Sequence, residues 1–167
     1  MKTLWLLRHA KSVKNDGTLE DFDRSLNERG KEDAGLIGSF LGHQKVVPDF
    51  VLSSPAKRAR RTTELVLKAA AWNCTPEFDE RIYEASLYRL LNIVSEIERS
   101  KDVVMLVGHN PGFEELLAAL TGEIARLPTC AVASISLEIS AWAKVGVRAG
   151  TLTSLVTPKS LKGDEAG

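Results

Sequence analysis

Apolar and polar positions along this chain switch between two periods. Leu4-Trp5-Leu6-Leu7 is a short unbroken apolar run that stops at Arg8-His9. A run of strand length bounded by polar residues predicts a buried parallel strand, covered on both faces. The same shape recurs at Asp49-Phe50-Val51-Leu52-Ser53 and, most clearly, at Val103-Val104-Met105-Leu106-Val107, which leads into Gly108-His109-Asn110-Pro111-Gly112. Pro76 to Phe78 suggests one more short strand. Helical spacing fills the intervals. Ala34, Ile37 and Leu41, with Leu36 and Phe40 alongside, predict a helix capped by Asn27, with Glu28 in its first turn. Gly30, Gly35 and Gly38 weaken that helix intrinsically, so packing has to hold it. Ser54 as N-cap and Pro55 in the first helical position predict a second helix to about Ala71. Leu90, Leu91, Val94 and Ile97 form one face of a third over Leu87 to Ile97, and a fourth runs from the Pro111 turn through Leu120.

From Ala131 to Ile139 the period becomes two. Ala133, Ile135, Leu137 and Ile139 share one face, and Ser134, Ser136 and Glu138 the other, which predicts a half-exposed strand. Thr151 to Val156 reads as its neighbour. Two strands in succession with no helix between them predict an antiparallel edge on an otherwise parallel sheet. The alternation of strands and helices then predicts a single three-layer α/β/α domain with a mostly parallel central sheet. Residues 10–25 lack periodicity and hold Asn15, Asp16, Gly17, Asp21, Asp23 and Arg24; a loop that long in a small domain is usually functional. The domain is assigned to residues 1–158, with 159–167 as a frayed C-terminal tail.

Composition narrows the function classes. The 167 residues suit one domain, and 44% hydrophobic with 26% charged residues is ordinary for a globular protein. Twenty-two Lys and Arg balance 22 Asp and Glu. That zero net charge argues against a general nucleic-acid binder. In the run Lys57-Arg58-Ala59-Arg60-Arg61, whose bland alternative is a solvated basic face, Arg60 and Arg61 read as surface and Arg58 as near enough to the helix start to point at the strand ends. No apolar stretch is long enough to cross a membrane. Met1-Lys2-Thr3 runs straight into the first strand and leaves no room for a signal peptide, so a cytoplasmic protein is expected. Cys74 and Cys130 read as free thiols of a reducing compartment. His43, at the end of the first helix, receives no role. The residues show no metal-ligand spacing, and neither metal nor cofactor is expected.

The candidate chemistry sits where strands end. Ligands of open α/β sheets bind beyond the carboxyl ends of the strands. Arg8 and His9 follow the first strand, Arg58 opens the helix after the second, and His109 follows the fourth. Arginine offers a fork for phosphate oxygens, and histidine a nitrogen that can act as nucleophile or base. His109 taken alone could equally cap its turn. Taken together, the groups suit a phosphoryl dianion, which needs several donors around it.

Arg8-His9-Ala10-Lys11-Ser12-Val13-Lys14-Asn15 resembles the R-H-x-x-S-x-x-N motif of the histidine phosphatase superfamily, which has the phosphoglycerate mutase-like fold. Ser53-Ser54-Pro55-Ala56-Lys57-Arg58-Ala59 with Thr62 is similar to its second arginine motif, and Gly108-His109-Asn110-Pro111-Gly112 to its second histidine motif. The short length and Asp23-Arg24-Ser25-Leu26 before Gly30 look like the SixA-type phosphohistidine phosphatases. The resemblance implies that His9 attacks phosphorus and becomes phosphohistidine while Arg8, Arg58 and His109 surround the phosphoryl oxygens. It also implies that Ser12 and Asn15 orient the pocket loop. Larger relatives carry a leaving-group acid in the polar segment that here holds Glu84, with Glu80 nearby. The implied substrate is phosphohistidine in a partner protein, such as a histidine phosphotransfer domain. A small phosphate ester is the alternative substrate, and a non-catalytic phosphate-binding domain the alternative outside enzymes. Oligomeric state is left open.

Overall fold

A computed structural model describes residues 1–163. Six strands form one sheet: β1 (Lys2–Arg8), β2 (Phe50–Ser53), β3 (Glu77–Phe78), β4 (Val103–Gly108), β5 (Val132–Leu137) and β6 (Gly150–Val156), in the order β3-β2-β4-β1-β5-β6. β4 lies between β1 and β2 and pairs parallel with both, in register Arg8↔Gly108 on one side and Ser53↔Val107 on the other. The three strand ends that carry candidate groups are therefore neighbours at one rim. β5 pairs antiparallel with β1, and β6 antiparallel with β5. The reversed strand is thus one in from the edge, and β6 runs parallel to β1 again.

The unbroken apolar runs reflect a sheet covered on both faces. Leu4, Leu6, Val104, Leu106, Ala133 and Ile135 point into one core layer with α3 (Leu87–Ser95), α4 (Gly112–Thr121) and Trp142. Trp5, Leu7, Val51, Met105, Val107 and Val132 point into the other, with α1 (Glu28–Gly42) and α2 (Lys57–Ala70). Burying a side chain of this size contributes about 1.5–3 kcal/mol, so the two layers hold the rim. α1 and α2 touch through Gly38, where an added Cβ would lie 2.6 Å from the Val66 carbonyl oxygen. This answers the glycine content of α1: what the helix loses in propensity returns as close packing. Asn27 caps α1 as expected, its side chain accepting from the Gly30 amide.

The structure corrects three local expectations. Ser54 is not the cap of α2; the helix starts at Lys57, and the Ser54 hydroxyl, which accepts from the Ala56 amide at 3.2 Å, also bonds His109 in the site. On α3 it is Ile93 rather than Leu91 that completes the fully buried face with Leu90 and Val94, because positions i, i+3 and i+4 share one side of a helix. Finally, residues expected as a frayed tail form α5 (Pro158–Lys162), started by a Thr157 capping box and tied down by Lys162 Nζ donating to Asp33 Oδ1 at 2.7 Å. Residues 164–167 of that expected tail lie outside the described residues. Among the described residues no helix is long and apolar enough to cross a membrane, and Cys74 and Cys130 are free.

Candidate active site

The register of β1 against β4 sets the two histidines side by side, one residue past each strand, with ring centroids 5.1 Å apart. His9 is anchored through its backbone, its amide donating to the Gly108 carbonyl at 3.0 Å. One residue on, the Ala10 amide donates to Thr62 Oγ1, which donates in turn to the Arg58 carbonyl. A buried threonine therefore fixes the turn after His9 to the first turn of α2, and so to Arg58.

The His9 ring has a defined tautomer. Nδ1 lies 2.7 Å from the Ala10 carbonyl oxygen, which can only accept, so Nδ1 carries the proton and Nε2 the lone pair. Burial holds the ring neutral, its pKa pushed down to about 4, and the charges of Arg58, Arg8 and Arg24 push the same way. His109 is likewise pushed down to about 3, mainly by burial, then by His9 and Arg58. Its Nε2 shares a 2.7 Å hydrogen bond with Ser54 Oγ. A neutral imidazole with a free lone pair is a competent nucleophile at neutral pH.

Arg8 and Arg58 bring positive charge to these rings. Arg8 Nη1 donates to the Leu127 carbonyl at 3.0 Å, and Asn110 Nδ2 donates to the same oxygen. Arg58, buried, donates from Nη1 to the Asp21 carbonyl at 2.7 Å and from Nη2 to Asp21 Oδ2 at 3.0 Å. Arg8 Nε, Arg58 Nε and His109 Nδ1 are buried without a hydrogen-bond partner among the described residues. Orphaned buried polar atoms are rare and costly; the two guanidinium Nε atoms can only donate and call for acceptors, while Asn110 Oδ1, also buried without a partner among the described residues, calls for a donor. A phosphoryl group supplies such acceptors. Among the described residues no group of three or more His, Cys, Asp or Glu could hold a metal.

Beside the rings a cavity of about 510 Å³ is lined by Asp21, Arg58, Glu84, His109 and Asn110, among others. Glu84 is exposed on this wall, in the left-handed backbone region with φ +53°. The structure thus places Arg58, His109 and Glu84 on this cavity, with the His9 ring against His109 and Arg8 at the end of the adjoining strand. Ser12 stands behind them, its Oγ accepting from Arg24 Nη1 at 2.9 Å. Asn15 does not join the site. It is exposed and makes no hydrogen bond to Arg8, His9, Arg58 or His109 among the described residues; its Oδ1 accepts from the Gly17 amide, a local turn within the loop it is expected to orient.

The sequence did not identify Asp21 and Tyr83 as partners of Arg58. Asp21 Oδ2 also accepts from the Tyr83 hydroxyl at 2.5 Å, and Oδ1 from Arg24 Nε at 3.0 Å. These bonds hold the Asp21 carboxyl at about 2, well below the usual range, with the Tyr83 bond first among the causes. The Tyr83 ring stands edge-on to His109 at 5.5 Å and to Phe22 at 5.1 Å. The only available signal was the polar, aperiodic loop that contains Asp21 and Arg24.

Comparison with known proteins follows the same lines. The model of the histidine phosphatase superfamily (branch 1) matches residues 4–105. An uncharacterized chloroplastic protein of Arabidopsis thaliana is 30% identical, over 95% of this chain and 79% of its own. An uncharacterized Mycobacterium tuberculosis protein is 30% identical, over 92% of this chain and all of its own. Among solved structures, a candidate phosphohistidine phosphatase SixA from Agrobacterium tumefaciens superposes with a TM-score of 0.80 and 29% identity, covering 94% of this chain and 98% of that one. A protein histidine phosphatase SixA complexed with tungstate shares the fold at a TM-score of 0.83 and 23% identity, covering 95% of this chain and 99% of that one.

Proposed function

The chain belongs to the histidine phosphatase superfamily, in its compact SixA-type form, and from that membership and its phosphatase chemistry we propose that it hydrolyses phosphohistidine in a partner protein through a covalent intermediate on His9. His9 Nε2 attacks phosphorus, the P–N bond to the substrate imidazole breaks, and the leaving nitrogen takes a proton from solvent. Water then attacks the phosphoryl group on His9, releasing phosphate and the neutral ring. Arg8, Arg58 and His109 donate to the phosphoryl oxygens as charge develops on them; one preorganised donor of this kind is typically worth roughly 10²–10³ in rate.

The observation that carries this reading is the His9 Nδ1 bond to the Ala10 carbonyl, which leaves Nε2 unprotonated beside buried donors without partners. A phosphohistidine substrate also relaxes the demand for an acid. Imidazole departs readily once protonated, its conjugate acid having a pKa of about 6.5. Glu84, exposed on the cavity wall, is therefore an auxiliary here. The same position favours a second reading, hydrolysis of a small phosphate ester with Glu84 as leaving-group acid. The likeness to SixA supports the first, and the partner we propose for it is a protein such as a histidine phosphotransfer domain. The free thiols of Cys74 and Cys130 suit the reducing cytoplasm.

The test is a side-by-side assay, without added metal, on a phosphohistidine protein and a panel of sugar, nucleotide and aryl phosphates. The phosphohistidine protein should give the highest kcat/KM, with an acid-labile, alkali-stable phosphoenzyme trapped in wild type and missing in His9→Ala. A folded His9→Ala protein that still turns over removes His9 as nucleophile. A phosphate ester outrunning the phosphoprotein selects the second reading.

A further inference from the structure

The reaction uses only one member of the basic run Lys57-Arg58-Ala59-Arg60-Arg61. Arg58 is buried, whereas Lys57, Arg60 and Arg61 are exposed on the outside of the same turns of α2. With Lys31 of α1 they line a groove of about 380 Å³, shared with Ser25 and Leu26, in which Glu64 is the one carboxylate. Arg61 is paired with Glu64 and Lys31 with Glu28, each at 3.2 Å. Lys57 and Arg60 have no carboxylate partner among the described residues; the Arg60 guanidinium lies 3.9 Å over the Phe78 ring, which holds it in place with its charge uncompensated.

Helix stability does not explain this cluster. The positive end of a helix dipole favours acidic side chains, yet α2 has none in its first turn and opens on Lys57-Arg58. The chain as a whole carries equal numbers of both signs, so the excess is local. The groove shares no lining residue with the cavity beside the histidines, but the two are joined through neighbouring residues of one loop and one helix. Ser25 follows Arg24, which holds Asp21 and Ser12, and Leu26 bridges to Ser12. Lys57 to Arg61 spans only about 6 Å along the helix axis, with Arg58 between them.

We propose that this groove docks an acidic surface of the protein that presents the phosphohistidine. The inference rests on the phosphohistidine-protein reading above. An acidic partner matches a groove whose Lys57 and Arg60 have no carboxylate partner among the described residues, and its phosphoryl group then enters beside Arg58. Rim charges of this kind act on encounter more than on chemistry, so the effect falls in KM and weakens with salt.

The test uses two phosphohistidine peptides, one flanked by glutamates and one by glutamines, with phosphoimidazole as the small substrate. Wild type should favour the glutamate peptide by about tenfold in kcat/KM at low salt, through KM, and lose the preference at high salt. Lys57→Gln with Arg60→Gln should abolish the preference and leave phosphoimidazole turnover unchanged; Lys31→Gln with Lys57→Gln, which spares the Phe78 contact, should do the same. Equal wild-type rates on the two peptides, or a preference that survives both variants, overturns the proposal. If neither peptide is hydrolysed while an aryl phosphate is, the phosphohistidine reading has failed. The groove is then judged by fluorescence anisotropy with the unphosphorylated glutamate peptide: binding lost in the variants upholds it, and no binding by wild type overturns it. A short DNA duplex that binds more tightly than this peptide overturns the acidic-protein partner.

Discussion

Tyr83→Phe removes one hydroxyl and keeps the ring that stands against His109 and Phe22. The hydroxyl donates to Asp21 Oδ2 at 2.5 Å and is the largest cause of the low Asp21 pKa, while Arg58 and Arg24 retain their bonds to the same carboxylate. With its carboxyl held down at about 2, the Asp21 network would stabilise the fold by on the order of 2 kcal/mol in the absence of solvent screening. Asp21 has a 40% exposed side chain, however, so solvent screening cuts the stabilising share to about 1 kcal/mol, most of it carried by Tyr83. The sign follows from linkage. A carboxyl with a lowered folded pKa stabilises above its unfolded value of about 3.9 and loses that stabilisation as pH falls toward 2. Urea unfolding should therefore show Tyr83→Phe weaker by about 1 kcal/mol at pH 5 to 7, the gap closing below pH 4. Carbon-detected NMR titration should show the Asp21 pKa moving up toward 3.8. Because Arg58 keeps its own bonds to Asp21, kcat should fall by less than about tenfold, well short of the loss of a phosphoryl donor. An unmoved Asp21 titration, or equal stabilities at pH 6, refutes the reasoning.

With His9 at about 4 and required neutral, the acid limb of kcat/KM should lie near pH 4 after correction for the substrate's own ionisation; a limb near 6.5 would mean that burial does not control the ring. Both histidines have folded values below the unfolded 6.5, so the unfolded chain binds more protons between pH 4 and 6.5, and urea midpoints should decline as pH falls through that window. Gly30→Ala would place a Cβ 2.1 Å from the Lys11 carbonyl oxygen and should cost about 1–3 kcal/mol, whereas Gly35→Ala, with nothing within 4 Å, should gain about 0.5–1 kcal/mol; thermal melts of the pair check this. Glu84→Gln should slow an alkyl phosphate by roughly 10²–10⁴ if Glu84 is the acid, while phosphohistidine cleavage falls only modestly; unchanged alkyl phosphate turnover retires Glu84.

Local pattern and chemistry determined a good deal by themselves. A continuous apolar run of strand length can persist only if both faces are covered, so β1 and β4 announced a buried parallel sheet, and the polar residues that end them announced its rim. Asn27 was legible as a cap because its side chain bonds within its own turn. Arg8, His9 and His109 were legible because each follows its strand directly. Ser54 was misread for the same local reason: Ser-Pro is a good helix start, and nothing nearby reveals that the hydroxyl is drawn to His109, 55 residues away.

Tertiary structure decided the rest, since each remaining feature joins segments distant in sequence. Inserting β4 between β1 and β2 is a long-range choice of strand order, and it alone sets the histidine rings 5.1 Å apart. The Asp21 bonds to Arg58 and Tyr83 span 37 and 62 residues, and they form only when an aperiodic loop folds over the rim. The histidine pKa values belong to the same class, because desolvation depends on how the packed layers close around the rings and not on the neighbours in the chain. Sequence periodicity encodes which face of an element is buried. Which side chains then meet there, and how deeply they are withdrawn from water, is set by the packing of those faces against one another.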